Sequence, residues 1–308
     1  MRNILILGGL GFIGTNLVGE FIEGSNKYNI ITYDLAGKTN RFGNRIRLIN
    51  DDFQNERSLE KLLSETPFDV VIHLISTTIP ASSNEKITYD IEANLIPTVN
   101  LLKLLAKYKI PEIVFFSSGG SVYGTTEEEK VNELHQTYPI SSHGTIKLTI
   151  EKYIHLFQEL YGVNYLILRV GNPYGPFQTS DNQGIINVFI RKILRDEKLV
   201  VRGDGSAIRD YIYVKDLAKV VRLLLEAGIS NEILNVGSGE GTSIRQIISI
   251  LDNLSGRRNR VENEDPMLSD VPKIVLDTTK LNNLIKIDLC PLEEGIRRTF
   301  EELSCKNK

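Results

Sequence analysis

The residue types and spacing with the clearest chemical meaning are a group of glycines near the amino terminus. Gly8, Gly9, Gly11 and Gly14 follow an apolar run that ends at Leu7. Glycine at the first of these positions allows a sharp turn, and glycine at the third leaves no Cβ between a pyrophosphate and the backbone N–H groups. A helix that begins at such a turn directs its positive end and free amides at phosphates. The turn therefore predicts a phosphate-binding site for a dinucleotide.

An acidic residue at the end of the second apolar run narrows the choice of dinucleotide. Asp34 follows the last glycine by about 20 residues, the distance found in strand–turn–helix–strand units that bind NAD. A carboxylate there accepts hydrogen bonds from the ribose hydroxyls and repels the 2′-phosphate of NADP. An ordinary tight turn in which Asp34 caps a loop is the alternative, but the flanking apolar runs and the spacing favour NAD.

A second set of polar residues has the types needed to move protons. Ser118 and Ser121 follow an apolar run that ends at Phe116, and His143 and Lys147 lie at the start of an apolar-periodic stretch. Because they are four residues apart, His143 and Lys147 share one face of a helix. A hydroxyl, an imidazole and an ammonium group above a dinucleotide site predict proton transfer at that place.

These residues need a framework, and apolar runs alternate with helical patterns along the chain. Runs of this kind are typical of strands buried on both faces of a parallel sheet. The pattern predicts an α/β fold with a doubly wound, Rossmann-type parallel sheet, in which ligands lie at the carboxyl ends of the strands. After the first two strands, the expected strands are 46–49, 69–75, 112–116, 164–169 and 232–236, and the expected helices are 55–65, 94–108, 145–161 and 215–227.

The composition and the pattern of apolar residues change after Arg169. The next stretch is rich in Gly, Pro and Asn, and the tail after residue 239 shows no clear alternation of strand and helix. We therefore expect a smaller, discontinuous C-terminal lobe that binds the substrate. The expected division assigns 1–170, with 208–238 returning to it, to the NAD-binding domain, and 171–207 and 239–308 to the lobe.

Composition fits an enzyme with small-molecule ligands. The 308 residues are 41% apolar, and 36 Lys and Arg against 39 Asp and Glu give a net charge of −3, so we expect neither nucleic acid nor an anionic membrane as partner. The first apolar run is too short for a signal peptide, and no run has transmembrane length. Cys290 and Cys305, the two cysteines, lie far from any His, which argues against a disulfide framework or a metal site and favours the cytoplasm.

Two of the expected helices, 94–108 and 145–161, are apolar on more than one face. A helix that already packs on a sheet needs only one apolar stripe. The second stripe predicts a homodimer formed through these helices, and a covering loop would explain it equally well.

The motifs along the chain resemble those of the extended short-chain dehydrogenase/reductase family, in particular its NAD-dependent nucleotide-sugar epimerases and dehydratases. The resemblance covers nearly the whole chain, and seven motifs in the family's order make coincidence a poor explanation. The motifs are the glycine turn, Asp51–Phe53, His73–Ser76, Asn94, Arg169–Pro176, Gly203–Val214 and Asn235–Gly239.

This resemblance implies NAD as cofactor and a nucleotide sugar, a UDP-sugar first among them, as substrate. It implies a catalytic group of Ser118, His143 and Lys147. It also implies substrate contacts by Ser118, Asn172 and Arg209, with Arg209 gripping the diphosphate. The implied cofactor contacts are Gly8, Gly11, Phe12, Ile13, Gly14, Asp34, Asp52, Phe53, Leu74, Ser76, Asn94 and Lys147.

The sequence departs from the family at the catalytic pair. The family pattern is Tyr-x-x-x-Lys, and here His143 takes the tyrosine position while Lys147 is kept. Imidazole, with an unperturbed pKa of about 6.5, accepts protons near neutral pH. Lys147 and oxidised nicotinamide should lower that pKa, which leaves the ring neutral but a weaker base. Three interpretations stay open: a working histidine, a hydroxyl of Ser118 or Tyr174 as acceptor, or a protein that binds without turnover.

A second departure lies in the tail. The family has an arginine three residues before an Asp-Val pair as a second diphosphate clamp, whereas Met267 precedes Asp270 here. Loss of a bidentate donor should cost affinity for a buried diphosphate. Arg257, Arg258 and Arg260 are nearby replacements, although solvated surface charges describe them better.

Three classes of function compete. The first is a nucleotide-sugar 4-epimerase, which oxidises C4 transiently and returns the hydride to the other face. The second is a dehydratase or reductase of the same family. Related dehydratases carry an Asp-Glu pair directly before Val-Tyr-Gly, and Gly120 and Ser121 stand there instead, which counts against dehydration. The third is a protein that binds NAD or a nucleotide sugar without catalysis, for which the missing tyrosine is the main argument.

Overall fold

The computed structural model describes residues 1–24, 27–267 and 270–306. Parts of the expected lobe, at 268–269 and 307–308, lie outside the described residues. The strands in chain order are β1 (Arg2–Leu7), β2 (Tyr28–Asp34), β3 (Arg47–Asn50), β4 (Val70–His73), β5 (Glu112–Ser118), β6 (Asn164–Val170), β7 (Asn172–Tyr174), β8 (Leu199–Arg202), β9 (Ile208–Tyr213), β10 (Glu232–Val236), β11 (Gly241–Ser243), β12 (Val261–Glu264) and β13 (Lys273–Ile274).

Helices connect most of these strands. A 3₁₀ turn lies at Gly43–Arg45, and a π-helical turn at Ile91–Leu95 leads into the fifth helix. The α-helices in chain order are α1 (Phe12–Gly24), α2 (Glu56–Glu65), α3 (Pro80–Ser83), α4 (Ile87–Asp90), α5 (Ile96–Lys107), α6 (Ser142–Tyr161), α7 (Ile185–Leu194), α8 (Val214–Glu226), α9 (Ile244–Ser255), α10 (Thr279–Leu284) and α11 (Leu292–Lys306).

Within the described residues, seven strands form one parallel sheet in the order β10-β6-β5-β4-β1-β2-β3. In β1, Leu7 pairs with Tyr33 of β2 on one side and with His73 of β4 on the other. The strand order reverses between β1 and β4, so their carboxyl ends form the switch point at which ligands bind in such sheets. The predicted α/β class and the doubly wound parallel sheet are confirmed.

Alternating side chains of the strands build the two helix layers. Ile4 and Ile6 of β1 face the layer that contains α1 and α8. Leu5 and Leu7 face the opposite layer, which contains α2, α5 and α6. Both faces of the sheet are therefore covered, which explains why its strands are nearly continuous apolar runs.

The smaller lobe has its own core, to which α7, α9, α11, β8 and β9 contribute. The tail after residue 239, which showed no clear pattern in the sequence, contains three strands and three helices within its described part. A capping box in which Ser243 and Gln246 bond each other's backbone starts α9, and this Ser-x-x-Gln spacing is a local helix signal in a tail otherwise poor in them.

Two segments cross the expected domain boundary. β9, which belongs to the returning segment 208–238, pairs with β7, β11 and β13 rather than with the large sheet. Leu281 of α10 and Ile285, both in the expected lobe, pack into the apolar core on the α1 side of the large sheet. The chain therefore crosses between the large sheet and the smaller lobe more often than the expected division, with the lobe at 171–207 and 239–308, implies.

Three further properties hold for the described ranges. No helix there combines the length and the apolar composition that crossing a membrane requires. No group of His, Cys, Asp and Glu side chains in the same ranges is arranged to hold a metal ion. Cys290 and Cys305 are free thiols.

Candidate active site

A cavity of about 1820 Å³ lies at the carboxyl ends of β1, β4, β5 and β6 and extends into the smaller lobe. Residues of the glycine turn, of the first two turns of α6 and of the connection between β8 and β9 are among those that line it. One continuous space is therefore faced by the glycine turn, by the expected catalytic residues Ser118, His143 and Lys147, and by Arg209, the expected diphosphate contact.

The glycine turn forms one end of this cavity. Gly8 has a φ of +85°, in the left-handed region, and a Cβ at position 14 would lie 2.2 Å from the Gly8 carbonyl oxygen. The backbone can therefore keep this close turn only with glycine at both positions. This cradle, with a carboxylate at the end of β2, fits a dinucleotide. The expected cofactor contacts that line the cavity are Gly8, Gly11, Phe12, Ile13, Gly14, Asp34, Asp52, Phe53, Leu74, Ser76 and Lys147.

Asp34 lies at the carboxyl end of β2, buried beside the glycine turn. Its Oδ1 and Oδ2 accept from the backbone N–H of Leu10, at 3.0 and 3.2 Å. Burial raises the pKa of this carboxyl, while the Leu10 N–H and the charge of Lys38 oppose the rise. The carboxylate lines the cavity and has acceptor capacity left for a ribose hydroxyl.

Asn94, which was expected beside the cofactor, is buried and does not line the cavity. Its Oδ1 accepts from the backbone N–H of Thr77 at 2.9 Å, and its Nδ2 donates to Thr77 Oγ1 and to Asp90 Oδ1, both at 2.8 Å. These bonds occupy the amide, so Asn94 holds the loop that follows β4 while the loop itself faces the cavity.

His143 is the second residue of α6 and points into the cavity from its first turn. The helix starts there because Ser141 accepts from the Gly144 N–H at 3.2 Å as its N-cap. The His143 residue is 8% exposed. Burial, and then the charge of Lys147, lower its pKa to about 4, although Asp90 and the backbone of Thr78 act in the opposite direction. The imidazole is therefore neutral at physiological pH.

Lys147 lies one turn further along α6, where it is buried and lines the same cavity. Its Nζ donates to the carbonyl of Phe116 at 2.9 Å and lies 4.8 Å from the Phe115 ring centroid. Burial lowers the pKa of this ammonium to about 8. At the end of β5, Ser118 donates to Ser121 Oγ at 3.1 Å and lines the same cavity. The structure thus brings Ser118, His143 and Lys147 together, as expected.

The alternative hydroxyl acceptors differ in their surroundings. Tyr174 donates from its hydroxyl to the backbone carbonyl of Leu292 at 3.3 Å, on the side of α11. Burial raises the pKa of this phenol well above its usual range. Both features make the Tyr174 hydroxyl a poor proton acceptor, whereas the Ser118 hydroxyl, at the carboxyl end of β5, donates only to Ser121 Oγ and lines the cavity.

Two buried acids beside these residues were not predicted from the sequence. Glu151 accepts from the Arg169 guanidinium, with Nη2 to Oε2 at 2.7 Å, and from the hydroxyl of Ser117. Asp90 accepts from Ser142, the residue before His143. A spacing signal was present, since Glu151 follows Lys147 by four residues and Asp90 precedes Asn94 by four.

The far end of the cavity, in the smaller lobe, is lined by charged side chains of both signs, and its acidic residues include Asp204, Glu264 and Asp270. Arg209, predicted to hold a diphosphate, lines it and donates to the carbonyl of Ile208 at 2.9 Å. Burial lowers the pKa of this guanidinium. Asn172, the other expected contact, donates to the carbonyl of Asp210 at 3.1 Å and also faces the cavity. Lys192 and Arg202, which no sequence motif marked, line the same end.

Met267, at the position of the missing clamp arginine, also lines this end. Two of the arginines considered as replacements are bound elsewhere. Arg257 and Arg260 pair with Asp196, at 2.6 and 3.6 Å. Arg258 does not line the cavity either. Lys192 and Arg202 are therefore better placed than any of these three to supply positive charge.

Comparisons with known proteins agree with this geometry. Residues 4–237 match the model of the NAD dependent epimerase/dehydratase family. The chain is 35% identical over 308 residues to a putative UDP-glucose 4-epimerase of Methanocaldococcus jannaschii, and the match covers 99% of each chain. It is similar to the crystal structure of the UDP-glucose 4-epimerase of Thermotoga maritima with UDP-glucose, with a TM-score of 0.93, 31% identity and 100% coverage of both chains. The Thermus thermophilus UDP-glucose 4-epimerase in complex with NAD gives a TM-score of 0.90, 28% identity and coverage of 97% of this chain and 98% of that one.

Proposed function

Because the chain belongs to the NAD-dependent epimerase/dehydratase family, we propose that it is a nucleotide-sugar 4-epimerase that works with NAD and most readily with a UDP-sugar. The observation that carries this proposal is the single cavity that joins a dinucleotide cradle, the residues Ser118, His143 and Lys147, and an end in the smaller lobe at which Arg209, Lys192 and Arg202 supply positive charge. The three parts correspond to the cofactor, the sugar carbon that reacts and the diphosphate.

The chemistry that bound NAD supplies is reversible uptake of a hydride from the sugar ring. His143 accepts the proton of the C4 hydroxyl as the C–H bond is broken, and it gives the proton back when the ring is reduced on its other face. Lys147, whose Nζ donates to the Phe116 carbonyl, lies one helical turn from His143 and lines the same cavity. Ser118 donates to the C4 oxygen and orients it.

The protonation state of His143 supports this role. With a pKa of about 4, the ring is in its neutral, accepting form throughout the neutral pH range. The same low pKa makes it a weaker base than free histidine, so turnover should be slower than with an unperturbed imidazole. Ser118 remains the alternative acceptor, since Tyr174 is bonded to Leu292.

We further propose that different parts of the chain bind the cofactor and the substrate. The large sheet and the glycine turn bind NAD through the residues that line the cofactor end of the cavity, with Asn94 acting through Thr77. The smaller lobe binds the nucleotide and the diphosphate through Arg209 and Asn172, supported by the charges of Lys192 and Arg202.

A homodimer is also proposed, formed through α5 and α6. Tyr153, Leu156 and Leu160 are exposed apolar residues on one face of α6, and Ile91 and Ile96 are exposed at the start of the α5 layer. α5 and α6 pack against each other, so the two sets of exposed apolar residues lie on neighbouring elements. We also propose a cytoplasmic location, which the two free thiols favour. Sedimentation velocity of the parent and of Leu160→Asp would test the dimer.

The decisive experiment for the function is incubation of the purified protein with UDP- and dTDP-sugars, followed by NMR of the anomeric proton. Appearance of the C4 epimer supports the proposal. A 4-keto-6-deoxy sugar would identify a dehydratase. Calorimetric binding of a nucleotide sugar that is never converted would identify a binding protein and overturn the enzymatic proposal.

A further inference from the structure

Asp90 is a buried carboxylate that the proposed reaction does not use. It ends the short helix α4 and is 1% exposed. Its Oδ1 accepts from Thr78 Oγ1 and Asn94 Nδ2, and its Oδ2 accepts from Ser142 Oγ, each at 2.8 Å. These donors are neutral, and burying a carboxylate among neutral donors costs solvation energy that a neutral side chain would not. This cost indicates that the negative charge of Asp90 itself has a function.

Two of the three groups that Asp90 binds, those of Ser142 and Thr78, belong to segments that adjoin His143. Ser142 precedes His143 in the first turn of α6. Thr78 lies in the loop after β4, and its backbone interacts with the imidazole. Helix α3, which follows that loop, also contacts the start of α6, because the His143 N–H donates to Ser83 Oγ at 3.1 Å. Asp90 therefore connects the start of α6, which carries His143, to the loop after β4, which contains Thr78.

The charged groups that act on His143 are Lys147 and Asp90, with opposite effects. Lys147 disfavours the imidazolium form, and Asp90 favours it. The same carboxylate is the largest influence that opposes the fall in the pKa of Lys147, ahead of Glu151. Proton transfer to His143 would place two positive charges one helical turn apart, and a nearby negative charge reduces that cost.

We propose that Asp90 is a positioning residue for the proton transfer, because its carboxylate ties the loop after β4 to the start of α6 and places a negative charge beside both His143 and Lys147. The inference rests on the proposed function in one respect, that His143 is the proton acceptor. The connection through Ser142 and Thr78 and the effect on Lys147 are independent of that assumption.

The test is Asp90→Asn, which keeps the size of the side chain and removes its charge. The amide keeps one acceptor oxygen for Thr78 and Asn94, and its NH₂ group replaces the other oxygen and can donate to the Ser142 hydroxyl. The primary readout is the titration of Lys147, followed by NMR of ¹³C-labelled lysine Cε. In the parent this residue titrates near its pKa of about 8, apart from exposed lysines. In Asp90→Asn the midpoint should fall by about 1 unit, the effect of removing an opposite charge nearby.

Glu92→Gln is the matched control, since it removes one negative charge from an exposed position two residues further along the chain. It should leave the Lys147 midpoint unchanged. An unchanged midpoint in folded Asp90→Asn, or an equal shift in Glu92→Gln, would overturn the proposal.

Ser142→Ala tests the connection without changing the charge. It should lower kcat about tenfold with KM unchanged, because a loosened imidazole reacts from fewer productive positions, and it should leave the Lys147 midpoint as in the parent. If Asp90→Asn does not fold, this variant carries the test, and a parent-like kcat would overturn the proposal. If the parent converts no sugar at all while Asp90→Asn still shifts Lys147, the proposed function fails and the placement of the Asp90 charge stands.

Discussion

Replacement of His143 gives the sharpest test of the proposed reaction. His143→Ala removes the proposed proton acceptor and leaves the other lining residues of the cavity unchanged. Turnover should fall by roughly 10²–10⁴, the usual contribution of a positioned general base, with little loss of binding. His143→Tyr should keep or raise turnover, because Lys147 and Ser118 remain as the family's site has them.

The pH dependence follows from the burial of the ring. A pKa of about 4 instead of the ordinary 6.5 corresponds to about 3 kcal/mol against the imidazolium form. The acid limb of the pH profile of kcat/KM should therefore lie near pH 4 rather than near pH 6.5, and activity should be level across the neutral range.

The assay is the anomeric NMR measurement of kcat and KM, repeated across the pH range, with nucleotide-sugar affinity measured separately by calorimetry. His155→Ala is a matched control, since His155 lies on the exposed side of the same helix. If His143→Ala turns over as fast as the parent, the proton goes elsewhere and Ser118 is the next residue to replace. An acid limb near the value of free histidine would contradict the argument from burial.

Three other predictions use different assays. Asp34→Ala should weaken the preference for NAD over NADP in a binding titration, and a parent that binds NADP as tightly would refute the role of Asp34. Arg209→Ala should weaken nucleotide-sugar binding about tenfold or more in calorimetry with NAD binding unchanged, whereas Arg258→Ala should change neither. Burial lowers the pKa of His143 to about 4 and that of His73 to about 3. The unfolded chain therefore binds more protons below about pH 6.5, and the urea midpoint should fall on acidification, less steeply in His143→Gln.

Local patterns in the sequence were enough for much of the fold and for the cofactor end. Two-sided burial of a parallel strand requires a continuous apolar run, so the strands of the large sheet could be recognised from residue types alone. The tight turn at Gly8 and Gly14 is a backbone property of a few adjacent residues, and Asp34 lies at a distance that one strand and one helix set. The spacing of His143 and Lys147 likewise placed them on one helical face.

The elements of the smaller lobe were harder to recognise because they are short and pair with segments far away in the chain. β9 pairs with β7, β11 and β13, and α10 packs beside the large sheet although it follows the lobe's strands. No local periodicity encodes such pairings, because each depends on which segments the completed fold brings together.

Contacts between distant residues decided the chemistry of the site. The same imidazole would have a pKa near 6.5 in the isolated helix, and burial beside Lys147 takes it to about 4. The amide of Asn94 forms hydrogen bonds with Thr77 and Asp90 instead of lining the cavity, and Arg257 forms an ion pair with Asp196. The sequence alone determined which groups are present and which helix or strand carries them. Their protonation and their partners depend on desolvation and on charges from other elements, which exist only once the chain has folded.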